Sequence, residues 1–186
     1  LIAGENERIL IHVSNFRRVK RVEDVVLVFK QVRDVIPAKL LLVGDGPERN
    51  NVESLCRSIG YCDDIRFLGK QDAIEELLAI SDLFILPSEK ESFGLAALEA
   101  MACEVPVISS NTGGLPEINI HGKTGFLSDV GDIDDMADNA LRILKDDNTL
   151  KSFRAEALTQ AKRFEIQNIL PLYEAYYQEV LNSFNS

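Results

Sequence analysis

The fold is decided by the stretch LFILPSEKESFGLAALEAMA, which runs from Leu83 to Ala102. A short apolar strand (83–86) leads into a turn rich in Ser and Glu, and the turn opens a helix rich in Ala and Leu. A parallel α/β sheet presents free backbone N–H groups in this way, at the carboxyl end of a strand where such sheets bind ligands. An anion can therefore bind the N–H groups of Phe93, Gly94 and Leu95, and the glycine removes a side chain that would block its approach.

Two carboxylates flank this turn. Glu91 precedes the helix, and Glu99 lies inside it, roughly 9 Å beyond the first turn at a rise of about 1.5 Å per residue. That reach suits the hydroxyl groups of a sugar attached to a docked phosphate. The simpler alternative is an ordinary sheet-packing helix in which Glu99 is solvated.

Apolar strands alternate with amphipathic helices along almost the whole chain. Short strands, each followed by a helix, indicate a parallel sheet covered on both faces, and right-handed crossovers give a doubly wound α/β fold. No linker or repeat interrupts the sequence, so residues 1–186 are expected to form one domain. The predicted strands are 9–13, 39–43, 65–68, 83–86, 106–109 and 125–127, and the predicted helices are 22–35, 48–59, 72–80 (capped by Asp72), the segment through Glu99, 132–144 and 148–164.

The end of the chain carries an apolar stripe with i, i+3, i+7 spacing, which predicts an amphipathic C-terminal helix. This helix is expected to pack either on the domain itself or on a partner domain that the sequence lacks. The chain begins at Leu1 without Met, as a fragment of a larger protein would. The stripe consists of Leu170, Tyr173, Tyr177, Val180, Leu181 and Phe184.

The charge balance is acidic, with a formal net charge of −10 at pH 7. Such a chain binds nucleic acid and anionic membranes poorly, and no apolar run is long enough to span a membrane. Three cysteines without CxxC spacing and no visible signal peptide predict a reducing, cytoplasmic location. The basic cluster of Arg17, Arg18, Lys20 and Arg21 indicates either a local anion site or a solvated helix start.

Ligand groups in a doubly wound sheet gather in the loops after the strands. Here those loops hold cations, which bind phosphate beside a helix N-terminus, and carboxylates, which bind sugar hydroxyls. The combination predicts a phosphorylated sugar or a nucleotide sugar as ligand. No GxGxxG follows the first strand and no GxxxxGKS/T occurs, which disfavours dinucleotide and P-loop sites. His12 is expected in the core and His121 in solvent, and neither has the partners of a hydrolase triad.

The glutamate pair also fits a known pattern. The segment from Glu91 to Glu99 resembles the E-x7-E motif of retaining glycosyltransferases of family 4, which have the GT-B fold. Segments 42–48, 67–69, 81–82, 106–108 and 113–117 resemble the C-terminal half of that family in the same order. Within the family, segments 14–21 and 109–117 are similar to the members that transfer N-acetylglucosamine to L-malate in bacillithiol biosynthesis.

The resemblance implies a two-domain enzyme in which this chain is the Rossmann-like, C-terminal domain that binds a UDP-sugar. The N-terminal domain, absent from this chain, would bind a small-molecule acceptor, so the chain alone is expected to be inactive. The resemblance also implies retention of the anomeric configuration, with the acceptor attacking from the face that UDP leaves.

The resemblance further implies a role for individual residues. Lys20 would neutralise the diphosphate leaving group, and Glu91 would position the donor sugar rather than act as a covalent nucleophile. Glu99 would bind the ribose hydroxyls, and backbone atoms near Phe67 and Leu68 would read the base. The N–H groups of Gly94 and Leu95 would meet the distal phosphate, and the other implied donor-binding residues are Ser14, Arg18, Gly44, Ser92 and Phe93.

The chain departs from the family pattern at the end of the first strand. It has Ser14-Asn15 where Gly-Arg is usual, so the second diphosphate cation is Arg17 or Arg18, with Arg17 favoured. A lysine and an arginine can replace a metal ion, and the enzyme is therefore expected to need no metal or other cofactor.

Two other functions compete with this interpretation. The chain could be a non-catalytic module that binds a nucleotide sugar or another protein. It could also be a regulatory α/β domain of the receiver kind, but that function needs an acidic pocket at the end of the first strand, where this chain is basic.

Overall fold

Parallel strands form one six-stranded sheet within residues 2–165, the part of the chain that the computed structural model describes. The strands are β1 (Arg8–Val13), β2 (Ala38–Val43), β3 (Ile65–Gly69), β4 (Leu83–Leu86), β5 (Val107–Ser110) and β6 (Gly125–Ser128). Their order in the sheet is β3-β2-β1-β4-β5-β6, and every pair of neighbours runs parallel.

Helices cover both faces of this sheet, so the predicted doubly wound α/β fold is confirmed. The helices are α1 (Val22–Arg33), α2 (Arg49–Ile59), α3 (Ile74–Ala79), α4 (Leu95–Ala102), α5 (Leu115–Ile118), α6 (Ile133–Leu144) and α7 (Asp147–Lys162). The buried side chains separate into two clusters, one mainly under α1, α2 and α6 and the other mainly under α4, α5 and α7.

The central strands are apolar throughout because both of their faces are buried. In β1, Leu10 belongs to the first cluster and Ile11 to the second; in β4, Ile85 and Phe84 divide in the same way. All four side chains are fully buried, and burying each contributes roughly 1.5–3 kcal/mol of hydrophobic free energy. Side chains that point alternately into the two clusters thus fix β1 and β4 in the core. The segments that follow these two strands carry most of the predicted site residues.

The sequence predictions fail at two helices, α3 and α5. Asp72 does not cap α3, because the N-cap position is Ala73 and no side chain there bonds the helix end. The short helix α5 was not predicted, since its residues follow the Gly113-Gly114 pair and read as a loop. The predicted C-terminal stripe, from Leu170 to Phe184, lies outside the described residues.

The strand order changes direction at the centre of the sheet. The strands β1 and β4 are neighbours, but their connections lead to opposite halves of the sheet. The carboxyl ends of neighbouring strands with this connectivity border a crevice in which doubly wound proteins bind their ligands. The segments that follow β1 and β4, residues 14–21 and 87–94, therefore lie where the sequence places the ligand. Within residues 2–165 no helix is long and apolar enough to cross a membrane.

Candidate functional site

Two contacts join the segments that follow β1 and β4. The backbone N–H of Glu89 donates to the carbonyl of Val19 at 2.8 Å. Next to it, Nζ of Lys20 donates to Oε2 of Glu91 at 2.6 Å. The sequence predicted both Lys20 and Glu91 as catalytic residues, and the structure brings them into direct contact although 71 residues separate them.

The ion pair between Lys20 and Glu91 is partly shielded from solvent. The lysine side chain is 22% exposed and the glutamate side chain 16% exposed. Because little water reaches the pair, its charges are poorly screened. Each group therefore acts strongly on the other and on any charged ligand beside them. The pair supplies one cation and one anion at the crevice between β1 and β4.

A third segment fixes the backbone of Glu91. The N–H of Gly114 donates to the Glu91 carbonyl at 3.1 Å. Gly113 has φ +55°, and a Cβ there would lie 1.7 Å from the same carbonyl oxygen. Only glycine permits this approach, so the Gly113-Gly114 pair after β5 holds the loop that presents Glu91.

The amino end of α4 presents backbone amides beside this loop. Among residues 2–165, the N–H groups of Phe93, Gly94 and Leu95 have no hydrogen-bond acceptor. Amides at a helix start carry a partial positive charge and bind anions. The side chains of Phe93 and Leu95 are exposed, at 44% and 59%, and Ser92 beside them is exposed as well.

The structure adds two reasons for glycine at position 94. Gly94 is the N-cap of α4 with φ +88°, a conformation that L side chains rarely adopt. A Cβ there would lie 2.7 Å from Cδ2 of Leu115 in the core. The backbone conformation and the packing against α5 therefore both require glycine at this position.

Glu99 lies in α4, on its exposed surface. Partial burial, together with the nearby Glu75 carboxylate, raises the pKa of the Glu99 carboxyl above its ordinary value. The helix that carries the N-terminal amides therefore also carries this carboxylate, as the sequence predicted. Glu99 has no basic partner in the described residues.

Ser14 lies directly after β1, and its hydroxyl has two partners. Its Oγ lies 2.8 Å from Nε2 of His12 and accepts a hydrogen bond from the N–H of Phe16 at 3.3 Å. His12 is fully buried, as expected of a core histidine. Its link to Ser14 was not predicted, although the spacing His-x-Ser at a strand end could have indicated it.

Burial lowers the pKa of His12 to about 4, and the charge of Lys20 contributes to the shift. Between pH 6.5 and 4 the unfolded chain therefore takes up a proton that the folded chain does not. The free energy of unfolding is expected to fall by about 3 kcal/mol as the pH drops through this window, at about 1.36 kcal/mol per pKa unit. Above pH 6.5 this contribution is constant, because the imidazole is neutral in both states.

Urea unfolding of the wild type and of His12→Gln, followed from pH 7 to pH 4, measures this contribution. The carboxylates titrate alike in the wild type and in the variant. The difference in unfolding free energy between the two proteins therefore reports the contribution of His12 alone. The stability of the wild type relative to the variant should decline with acid. A difference that stays constant across this range would contradict the assignment.

The two candidate arginines occupy adjacent positions. Arg17 is the exposed N-cap of a short 3₁₀ helix formed by Arg18–Lys20. Arg18 lines a surface cleft together with Arg21, Glu23, Asp24 and Glu48, and in this cleft Arg21 pairs with Asp24. Within the described chain neither Arg17 nor Arg18 forms an ion pair. Arg18 therefore lies among acids at the start of α1, whereas Arg17 does not line that cleft.

The predicted base-reading residues lie at the end of β3. This strand is at the edge of the sheet, and Phe67 and Leu68 are both partly buried. The guanidinium of Arg49 lies 5.6 Å from the centroid of the Phe67 ring, and the Leu68 carbonyl accepts a hydrogen bond from the side chain of Gln71 at 2.6 Å.

Gly44 brings the ends of β1 and β2 into contact. It has φ +121°, and a Cβ there would lie 1.7 Å from the Ser14 carbonyl, so the two segments touch through their backbones. Gly44 thus supports the segment that carries Ser14 and Lys20. Residues 2–165 contain no group of three or more His, Cys, Asp or Glu side chains that could hold a metal ion.

Comparisons with known proteins give relatives across most of the chain. N-acetyl-alpha-D-glucosaminyl L-malate synthase from Bacillus anthracis is 49% identical over 179 residues, which are 96% of this chain and 47% of that protein. The 2-deoxystreptamine N-acetyl-D-glucosaminyltransferase from Niallia circulans is 32% identical over 87% of this chain and 41% of its own length. The chain thus spans less than half the length of these two relatives.

Solved structures share the fold. Sucrose-phosphate synthase from Thermosynechococcus elongatus superposes with a TM-score of 0.83 at 29% identity, over 95% of this chain and 46% of that one. Anabaena HepE, solved in complex with UDP and glucose, superposes with a TM-score of 0.81 at 25% identity, over 97% of this chain and 49% of that one.

The match to a protein family agrees with these relatives. Residues 2–160 match the family described as glycosyl transferases group 1, and this range includes every strand of the sheet and the whole of the candidate site. The chain therefore belongs to the family of group 1 glycosyl transferases.

Proposed function

We propose that this chain is the donor-binding half of a retaining glycosyltransferase that moves N-acetylglucosamine from UDP to a small acceptor, with L-malate as the first candidate. The proposal of sugar and acceptor is supported by the 49% identity to the Bacillus anthracis N-acetyl-alpha-D-glucosaminyl L-malate synthase. UDP as the carrier is supported by the structural likeness to HepE, which was solved with UDP and glucose. The acceptor domain would lie outside these 186 residues.

The observation that carries the proposal is the contact of Lys20 with Glu91 beside the amino end of α4. The slow step of such a transfer is the departure of UDP from the anomeric carbon, during which negative charge builds on the diphosphate. A cation and backbone amides that already point at those oxygens stabilise the charge without reorganising. Lys20 and the N–H groups of Gly94 and Leu95 are the groups that can do so here.

The two carboxylates would bind different sugars of the donor. Glu91 sits beside the cation and would hold hydroxyls of the transferred sugar, so it orients the anomeric carbon towards the acceptor. Glu99, farther along α4, would hold the ribose. Glu91 acts as a positioning group in this mechanism and forms no covalent bond to the sugar. Phe67 and Leu68 would border the base at the sheet edge.

Arg17 is proposed as the second cation of the diphosphate site. Arg18 lines a cleft that also contains Arg21 and three carboxylates. Arg21 pairs with Asp24, and the other two carboxylates, those of Glu23 and Glu48, would compete with a diphosphate for the Arg18 guanidinium. Arg17 does not line that cleft and lies at the start of the 3₁₀ helix that carries Lys20. With Lys20 and Arg17 neutralising the leaving group, the proposed transfer needs no metal.

Calorimetry with UDP, UDP-N-acetylglucosamine and UDP-glucose tests the proposal on the chain itself. We expect all three to bind, with the same affinity in the presence of EDTA as in its absence, because the site uses cationic side chains and amides. AMP serves as the control for non-specific anion binding. Loss of affinity in EDTA would overturn the metal-independent mechanism, and absence of binding by every UDP compound would favour the non-catalytic interaction module.

A further inference from the structure

A buried histidine lies in the strand that leads into the proposed diphosphate site. His12 is in β1 and is fully shielded from solvent. Its Nδ1 lies 2.8 Å from the carbonyl oxygen of Ile85 in the neighbouring strand β4. Its Nε2 lies 2.8 Å from Oγ of Ser14. The imidazole thus spans the two strands whose segments meet at Lys20 and Glu91.

These contacts fix the direction of each hydrogen bond. A carbonyl oxygen only accepts, so Nδ1 of His12 carries the proton and donates to Ile85. A neutral imidazole has one N–H group, so Nε2 is unprotonated and accepts from the hydroxyl of Ser14. The Ser14 oxygen is then left with lone pairs, and the N–H of Phe16 donates to it.

The last bond in this series reaches a residue with an unusual backbone. Phe16 has φ 38°, in the left-handed region that bulky residues seldom adopt. Its side chain is fully buried, and its carbonyl accepts from the N–H of Glu48 at 3.0 Å. Phe16 directly precedes the basic segment 17–21, so its conformation sets the direction in which that segment leaves β1.

We propose that His12 is a positioning residue of the donor site, which acts through Ser14 and the backbone of Phe16 to hold Arg17 and Lys20 towards the diphosphate. The inference rests on the proposed function, because it concerns how the same site is held. It assigns a role to His12 that the sequence pattern alone, which indicated a core histidine, did not predict.

A double-mutant cycle on UDP affinity, measured by calorimetry, tests the inference. His12→Leu removes both hydrogen bonds of the imidazole, and Ser14→Ala removes the hydroxyl that links it to Phe16. Each change is expected to weaken UDP binding about tenfold, and the double variant should also lose about tenfold rather than a hundredfold, since both changes break one series of bonds. His12→Gln, whose amide supplies one donor and one acceptor, should bind UDP within about threefold of the wild type.

Ile11→Ala is the matched control, since Ile11 is the fully buried neighbour of His12 on the opposite face of the sheet. It should lower the melting temperature but leave UDP affinity within about twofold of the wild type. UDP affinities that multiply in the double variant, or that change equally in His12→Leu and Ile11→Ala, would overturn the positioning role. A wild-type chain that binds no UDP would instead overturn the proposed function.

Discussion

Replacing Lys20 by methionine is expected to slow sugar transfer about 10²- to 10³-fold in the proposed two-domain enzyme, as the loss of one preorganised transition-state contact does elsewhere. The backbone hydrogen bond from the N–H of Glu89 to the carbonyl of Val19 holds the segment that carries Lys20 at the crevice, and Nζ of Lys20 lies 2.6 Å from Glu91. Its charge is therefore in position before UDP begins to leave. Methionine keeps an unbranched, flexible side chain of nearly the same length and lacks the terminal ammonium group.

A UDP-release assay measures this loss, and circular dichroism reports on the fold. Lys151→Met is the matched control, because Lys151 is exposed on α7 and should keep wild-type turnover. The Lys20 variant should also bind UDP more weakly, since the diphosphate loses a cation and Glu91 is left without its partner. Turnover near the wild-type rate in Lys20→Met would refute the assignment of Lys20 to the leaving group.

The fold was predictable because strands and helix ends depend mainly on residues that are close together in the sequence. The short apolar strands match β1 to β6 to within one residue or so, since a strand buried on both faces must be apolar at every position. The predicted helix 48–59 matches α2 closely, since Gly60 follows α2 with φ 83°, in the left-handed conformation that commonly ends a helix. Asp72 failed as a cap because a capping residue must directly precede its helix, and α3 begins only at Ile74.

The sequence identified the segments that form the candidate site, but it did not predict which of their residues are in contact. The motif from Glu91 to Glu99 identified the loop and helix, but nothing in the spacing shows that Lys20 contacts Glu91. The role of Gly113 could not be predicted either. Its close approach to the Glu91 carbonyl joins the segment after β5 to the segment after β4, and the sequence does not show that these segments touch. The bond between His12 and Ser14 depends on a buried tautomer, which only the carbonyl of Ile85 determines.

Opposite effects on transfer and on UDP affinity are expected from Glu91→Ala. Transfer should fall by at least about 10²-fold, because the donor sugar loses the carboxylate that orients it. UDP, which lacks that sugar, should bind roughly three- to tenfold more tightly, since the alanine removes an anion that both repels the diphosphate and holds Lys20, an effect worth about 1 kcal/mol.

Glu89→Ala separates this effect from a general change in charge. Glu89 lies in the same loop, but it is exposed and its only described contacts to the β1 and β5 segments are through its backbone, so its charge is screened by water. This control should keep turnover and shift UDP affinity less than about twofold. Calorimetry with UDP alone and a transfer assay give the two readouts. Weaker UDP binding by Glu91→Ala would mean that Glu91 holds Lys20 in its working position, and the carboxylate would then belong to the diphosphate site rather than to the sugar.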